Sequence, residues 1–218
     1  MACAICETRK EKRFCPAVHG RICPACCGTQ REVTLDCPSS CDYLQQARRN
    51  ERRRPLSEIE RDALFPDVRL PENAAGLREA LLDALGYAIV QAGLRNRSLL
   101  DRDVVAALTG VAKSYETLVA SGLVYDAPLG SPLQQTVAYE LRQTIAQYQA
   151  SAKPQLGYAS ATDREILQAL VFFVRFALQL GNGRPRSRAF LDKLEQDYPQ
   201  RDSVLVTPQD PRSRLIVP

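Results

Sequence analysis

Residues 3–41 read CAICETRKEKRFCPAVHGRICPACCGTQREVTLDCPSSC and hold all eight cysteines and the single histidine of a 218-residue chain. The candidate ligands are Cys3, Cys6, Cys15, His19, Cys23, Cys26, Cys37 and Cys41, with Cys27 spare. Their spacing is C-x2-C-x8-C-x3-H, then C-x2-C-x10-C-x3-C. A segment of about 40 residues buries too little apolar surface to fold alone, so this cysteine density signals a staple. The apolar start at residues 1–5 is too short for a secretory signal and runs straight into Cys6 and charge. The expected compartment is therefore cytoplasmic, where disulfides are rare and CxxC pairs read as metal ligands. Two intervening residues suit a tight knuckle that aims both sulfurs at one ion. Three intervening residues place ligands at i and i+4, on one face of a helical turn. Eight soft or borderline ligands make two tetrahedral Zn2+ sites. With four protein ligands each, the sites leave no open position for water, so the expected role of the metal is structural. Cys27 is an alternate to His19 as eighth ligand, or a buried thiol beside the bound sulfurs.

Local signals inside the module are legible as well. Gly28 reads as a turn, Arg31-Glu32-Val33-Thr34-Leu35 as a short strand. Pro38-Ser39-Ser40 places Cys37 and Cys41 at the start of a helix over 42–53. The module is expected to span 1–43, followed by a charged connector over 44–72. That connector holds Arg48-Arg49-Asn50-Glu51-Arg52-Arg53-Arg54, then Pro55 and the capping-box sequence Ser57-x-x-Glu60.

Working outward, residues 73–198 carry helical periodicity without a single cysteine or histidine. Leu77, Leu81, Leu85, Ala88 and Ala92 form one stripe, with Gly93 placed to end the helix. Asp101 is placed to cap a second helix with the stripe Val104, Leu108, Val111, Tyr115, Leu118, closed by Gly122. Ser131-Pro132 starts a third through Val137, Leu141, Ile145 and Tyr148. Thr162-x-x-Glu165 is a capping box for a fourth, ending near Gly181. Its run Leu170-Val171-Phe172-Phe173-Val174 is apolar nearly all round, as the central helix of a bundle would be. A shorter fifth helix is expected over 186–198. Short loops favour antiparallel neighbours, so the fold class is a small Cys-rich zinc module followed by an all-α domain, a bundle of four or five helices. Arg175 inside the apolar helix is expected to reach the surface along its stem or to pair with a carboxylate. Residues 199–218 read as an extended tail with two strand-like runs, suited to packing on the domain or to adding to a partner's sheet edge.

Composition narrows the chemistry. Apolar residues make up 45% and charged residues 25%, which is ordinary globular composition. A lone histidine excludes an HExxH protease and a di-iron bundle, and no glycine pattern matches a P-loop or a dinucleotide fingerprint. The formal charge of +4 treats the cysteines as neutral. Seven thiolates with two Zn2+ add −3, so global charge gives no argument for nucleic acid. The apolar stretch at 166–180 is shorter than a membrane span of about 20 residues, and no membrane association is expected.

The ligand order Cys3, Cys6, Cys15, His19, Cys23, Cys26, Cys37, Cys41 resembles the C3HC4 order of RING and B-box-like fingers, over about 40 of 218 residues. The gap from Cys6 to Cys15 is shorter than in a RING and the final pair is wider. The resemblance implies an interleaved arrangement, in which Cys3 and Cys6 share one zinc with Cys23 and Cys26, and Cys15 and His19 share the other with Cys37 and Cys41. The sequential alternative assigns Cys3, Cys6, Cys15 and His19 to one ion and Cys23, Cys26, Cys37 and Cys41 to the next, the latter similar to a treble clef. The expected function is a non-enzymatic adaptor or regulator with a protein partner, homo-oligomerisation being compatible with it. The alternatives are a nucleic-acid binder using the finger and the Arg48 to Arg54 run, a RING-like ligase component, or an iron–sulfur redox protein.

Overall fold

The computed structural model describes residues 1–51, 64–70, 78–151 and 161–198. The Ser57-x-x-Glu60 sequence, the arginines at 52–54 and the tail at 199–218 lie outside them. Among the described residues the elements are β1 (Arg13–Cys15), β2 (Gly20–Ile22), α1 (Pro24–Gln30), α2 (Asp42–Asn50), α3 (Glu79–Arg95), α4 (Asp101–Ser121), α5 (Pro132–Ser151), α6 (Asp163–Leu180) and α7 (Ala189–Asp197). The protein is mostly helical, and its cysteines lie in the N-terminal part that carries the strands.

Helices α3 to α7 bury one core; the expected stripes of α4, α5 and α6 supply it, whereas α3 also buries Leu82, Ile89 and Val90 and leaves Ala88 half-buried, Leu77 lying outside the described residues. Val104, Leu108 and Val111 of α4, Val137, Leu141 and Ile145 of α5, and Ile166, Leu170, Val171, Phe173 and Val174 of α6 are all buried. The helix starts follow local chemistry. Thr162 and Glu165 exchange side-chain and backbone hydrogen bonds in a full capping box. The Ser131 hydroxyl accepts from the Gln134 N–H at 3.3 Å, with Pro132 opening α5. Gly122 ends α4 with a φ of 70°, a left-handed cap that glycine adopts without strain.

Three local expectations about the bundle are overturned. First, Gly93 does not end α3, which runs on to Arg95. A Cβ at Gly93 would stand 3.1 Å from the Leu191 side chain, and one at Gly86 would meet the Tyr198 ring at 2.5 Å. These glycines serve close packing between α3 and the α7 region, not helix termination. Second, Asp101 does not cap its own helix. It is buried, and its carboxylate accepts from the N–H groups of Phe190 and Leu191 at 3.1 Å and from the Ser187 hydroxyl at 2.9 Å. It thereby caps α7 from another element. Third, α3 lies along α5 and α7, and α4 along α6 and α5, while the consecutive pair α3 and α4 makes little contact. The short connection between them is drawn toward α7 by Asp101, whose own N–H also donates to Ser187 O. Arg175 of α6 is half-buried. Its guanidinium donates to the carbonyls of Leu64, Phe65 and Val68 at 3.0 to 3.2 Å, fixing residues 64–70 against α6.

The cysteine module has a second, separate core. Its buried apolar residues are Cys3, Cys15, Ile22, Cys23, Cys26, Cys27 and Leu35. Only two of these are aliphatic; the rest of this core is cysteine side chains. The stretch from Arg31 to Leu35 is not a strand but a turn, with the N–H groups of Val33, Thr34 and Leu35 all donating to Gln30 O. Glu32 takes a left-handed φ of 53° there, and its side chain points inward. Gly28 is likewise not a turn residue but lies inside α1.

That inward carboxylate seats the module on the bundle. Glu32 is 1% exposed and accepts from Arg48 of α2 at 2.6 Å and from Asn182 at 2.8 Å. Arg48 also donates to Asp192 of α7, which accepts from the Ser39 hydroxyl as well. Around this centre Arg186 donates its backbone N–H to Glu32 O, Arg184 reaches Arg31 O, and Arg186 pairs with Asp36. Burial works against the charge of Arg48, but Asp192 and Glu32 outweigh it and hold the guanidinium protonated.

Candidate metal centre

Cys3 and Cys6 flank a tight turn closed by the Glu7 N–H on Cys3 O, with Glu7 at a φ of 54°. Cys23 and Cys26 begin α1. Cys23 is its N-cap, Pro24 sets the first helical position, and the Cys26 N–H donates to Cys23 Sγ at 3.4 Å. The β1–β2 hairpin, in the register Arg13 to Ile22 and Cys15 to Gly20, brings the two pairs together.

The result is a four-thiol cluster. The Sγ atoms of Cys3, Cys6, Cys23 and Cys26 all lie within 4.8 Å of one another, with Cys6 and Cys23 at 4.0 Å. Zn–S bonds of about 2.3 Å in a tetrahedron place sulfurs about 3.8 Å apart, so the cluster has the dimensions of one ion's ligand shell. Backbone donors support it: the N–H groups of Ile5 and Cys23 both point at Cys3 Sγ, at 3.5 and 3.2 Å. The group could hold a metal ion. This is the first set that the interleaved order implies; the sequential order would instead have put Cys15 and His19 beside Cys3 and Cys6.

The protons of these thiols are unequal. The Thr8 hydroxyl, with backbone donors of Arg9 and Thr8, pulls the Cys6 thiol down to about 5. Burial acts upward on Cys3, but N–H groups of Cys6, Cys23 and Ile5 outweigh it and set it below its ordinary value. Contact with Cys23, together with burial, pushes Cys26 up to about 12.

The other candidate ligands are placed differently. Cys15 ends β1, Cys37 lies in the turn after Leu35, and Cys41 is the N-cap of α2. Burial pushes the Cys37 thiol up against a backbone donor at Glu32, and the negative neighbours Cys15, Cys41 and Glu32 add to the rise. His19 sits exposed at the tip of the β1–β2 hairpin with a φ of 49°. Cys27 is 8% exposed, within α1, and Arg13 Nη1 lies 3.6 Å from its sulfur. Arg13 is held there by the Tyr43 ring, 4.5 Å from its guanidinium carbon.

Sequence reasoning overlooked Glu32, Arg48 as its partner, and Asp192. No local pattern marks them, because the pairing joins residues 144 positions apart in the case of Arg48 and Asp192. No helix among the described residues is long and apolar enough to cross a membrane. Compared with known protein families, curated proteins and solved structures, the chain matches none.

Proposed function

We propose that the chain is a non-enzymatic adaptor or regulatory protein, in which structural Zn2+ on Cys3, Cys6, Cys23 and Cys26 folds the N-terminal module and the helical part presents the contact surface for a protein partner. Four thiolates complete a tetrahedral shell, which leaves no position for a reacting water. Zinc suits the cluster better than an iron–sulfur cluster, because four sulfurs all within 4.8 Å of one another match the ligands of a single ion, whereas a cluster distributes its thiolates over several irons. The nucleic-acid reading is weakened at its first residue, since Arg48 is engaged by Glu32 and Asp192.

The observation that carries the partner reading is an apolar segment left in water. Val119 and, beyond α4, Leu123, Val124 and Tyr125 are 36, 65, 89 and 46% exposed. Asp126, the next residue, pairs with Arg142 of α5, which anchors the segment rather than leaving it loose. Tyr139, on the same stretch of α5, is 62% exposed. Exposed apolar residues gathered in this way mark an interaction surface. The test compares wild type with Leu123→Asp/Val124→Asp in affinity capture, followed by reconstitution with the purified partner. A partner bound by wild type and lost by the double variant is the expected result; equal binding by both contradicts the reading.

A further inference from the structure

Four cysteines remain outside the cluster, and they are not scattered. Cys15, Cys27, Cys37 and Cys41 line one small cavity of about 10 Å³, room for a single small occupant. They approach it from four elements: the end of β1, the middle of α1, the turn before α2 and the N-cap of α2. The remaining wall is largely apolar, with Ile22 and Leu44 among its residues. His19 does not line the cavity, being exposed on the hairpin tip.

We infer that this cavity is a second Zn2+ site whose ligands are Cys15, Cys27, Cys37 and Cys41, with Cys27 and not His19 as the fourth. The chemistry of the donors fits. Four thiolates are a soft tetrahedral set, and an apolar wall excludes competing water. A zinc tetrathiolate carries a net charge of −2, and two guanidinium groups stand at the Cys27 sulfur, Arg13 Nη1 at 3.6 Å and Arg31 Nη2 at 4.0 Å. Donors of this kind are what a metal-bound thiolate takes in its outer shell. The four sulfurs are more open than the first set, which is the group whose atoms lie within 4.8 Å. Binding draws them inward around the ion. The site also lies where the module meets the bundle. Glu32 falls between Cys27 and Cys37, and Arg48 lies two turns beyond Cys41 on α2. An ion here fixes both partners of the docking ion pair, whereas the first site holds the outer knuckle. The inference rests on the reading of the first cluster as a zinc site.

The test is zinc content per chain together with the zinc K-edge ligand count, on the full chain purified under reducing conditions. Two zinc ions with four sulfurs each and no imidazole scattering are expected in wild type. His19→Ala is expected to keep both ions, and Cys27→Ser to fall from two to one. One zinc with four sulfurs in wild type overturns the second site and leaves the first intact; no zinc overturns both. Imidazole scattering in wild type, or loss of an ion in His19→Ala, overturns the ligand set. Because the wild-type measurement decides the question alone, a Cys27→Ser variant that fails to fold does not protect the inference.

Discussion

Asp101 was legible in the sequence as a cap, but the helix it serves was not. An aspartate before a helical stripe satisfies the usual rule for an N-cap, and nothing nearby indicates that α7, some 90 residues later, takes its oxygens. Truncating it strands two buried N–H groups and a hydroxyl at once. Asp101→Ala is therefore expected to cost about 3 kcal/mol in chemical denaturation, near the sum of a lost cap and an unsatisfied donor. Asp101→Asn, which keeps an acceptor oxygen, is expected to cost less. Gly93 teaches the same lesson from the other side. Its small size reads as a stop signal locally, yet the structure uses it to admit Leu191. Gly86→Ala, which forces a methyl into the Tyr198 ring, is expected to cost about 1–3 kcal/mol, as overpacking does, read as a lower melting temperature.

At the scale of elements, helices with strong periodicity and caps were legible, and those resting on tertiary contacts were not. Helices α5 and α6 begin, and α4 and α6 end, on signals written in adjacent residues. The turn at residues 31–35 looked like a strand because Val, Thr and Leu favour one, but a buried Glu32 carboxylate facing Arg48 outweighs that preference. Breaking such a pair from one side leaves a buried charge, a loss of roughly 3–5 kcal/mol. Arg48 keeps 20% exposure, so the lower end applies. Arg48→Ala is expected to separate one calorimetric transition into two as the module loses its seat; a single unshifted transition would contradict that role. The start of α6 gives a pH prediction. Burial pushes Glu165 up, but Arg78 and the Thr162 cap outweigh it and hold the carboxyl below its ordinary 4.5. A carboxyl lowered on folding stabilises above its unfolded value and loses that contribution as pH falls through the folded one. Acid unfolding of Glu165→Gln is therefore expected to show a shallower decline than wild type below pH 4.5.

The whole molecule contains two cores of different origin, and the difference governs what holds each together. The bundle core is built of aliphatic and aromatic side chains from five helices and follows from periodicity. The module's core is five cysteines with Ile22 and Leu35. At about 1.5–3 kcal/mol for each buried aliphatic side chain, two of them cannot offset the entropy of ordering some 40 residues. The density of cysteines and the CxxC pairs made legible the four-thiol cluster of Cys3, Cys6, Cys23 and Cys26, which could hold a metal ion. The membership of Cys27 on a cavity wall was not legible, because spacing ranked His19 ahead of it and only the hairpin shows His19 turned to solvent. The central claim is that a metal ion supplies the missing stability of the module. The most direct measurement is the amide NMR spectrum of the isotope-labelled chain before and after zinc removal by a chelator under reducing conditions. Loss of dispersion confined to residues 1–51, with the amides of α3 to α7 unmoved outside the docking face, is the expected result. A module that keeps its dispersed spectrum without metal would contradict it.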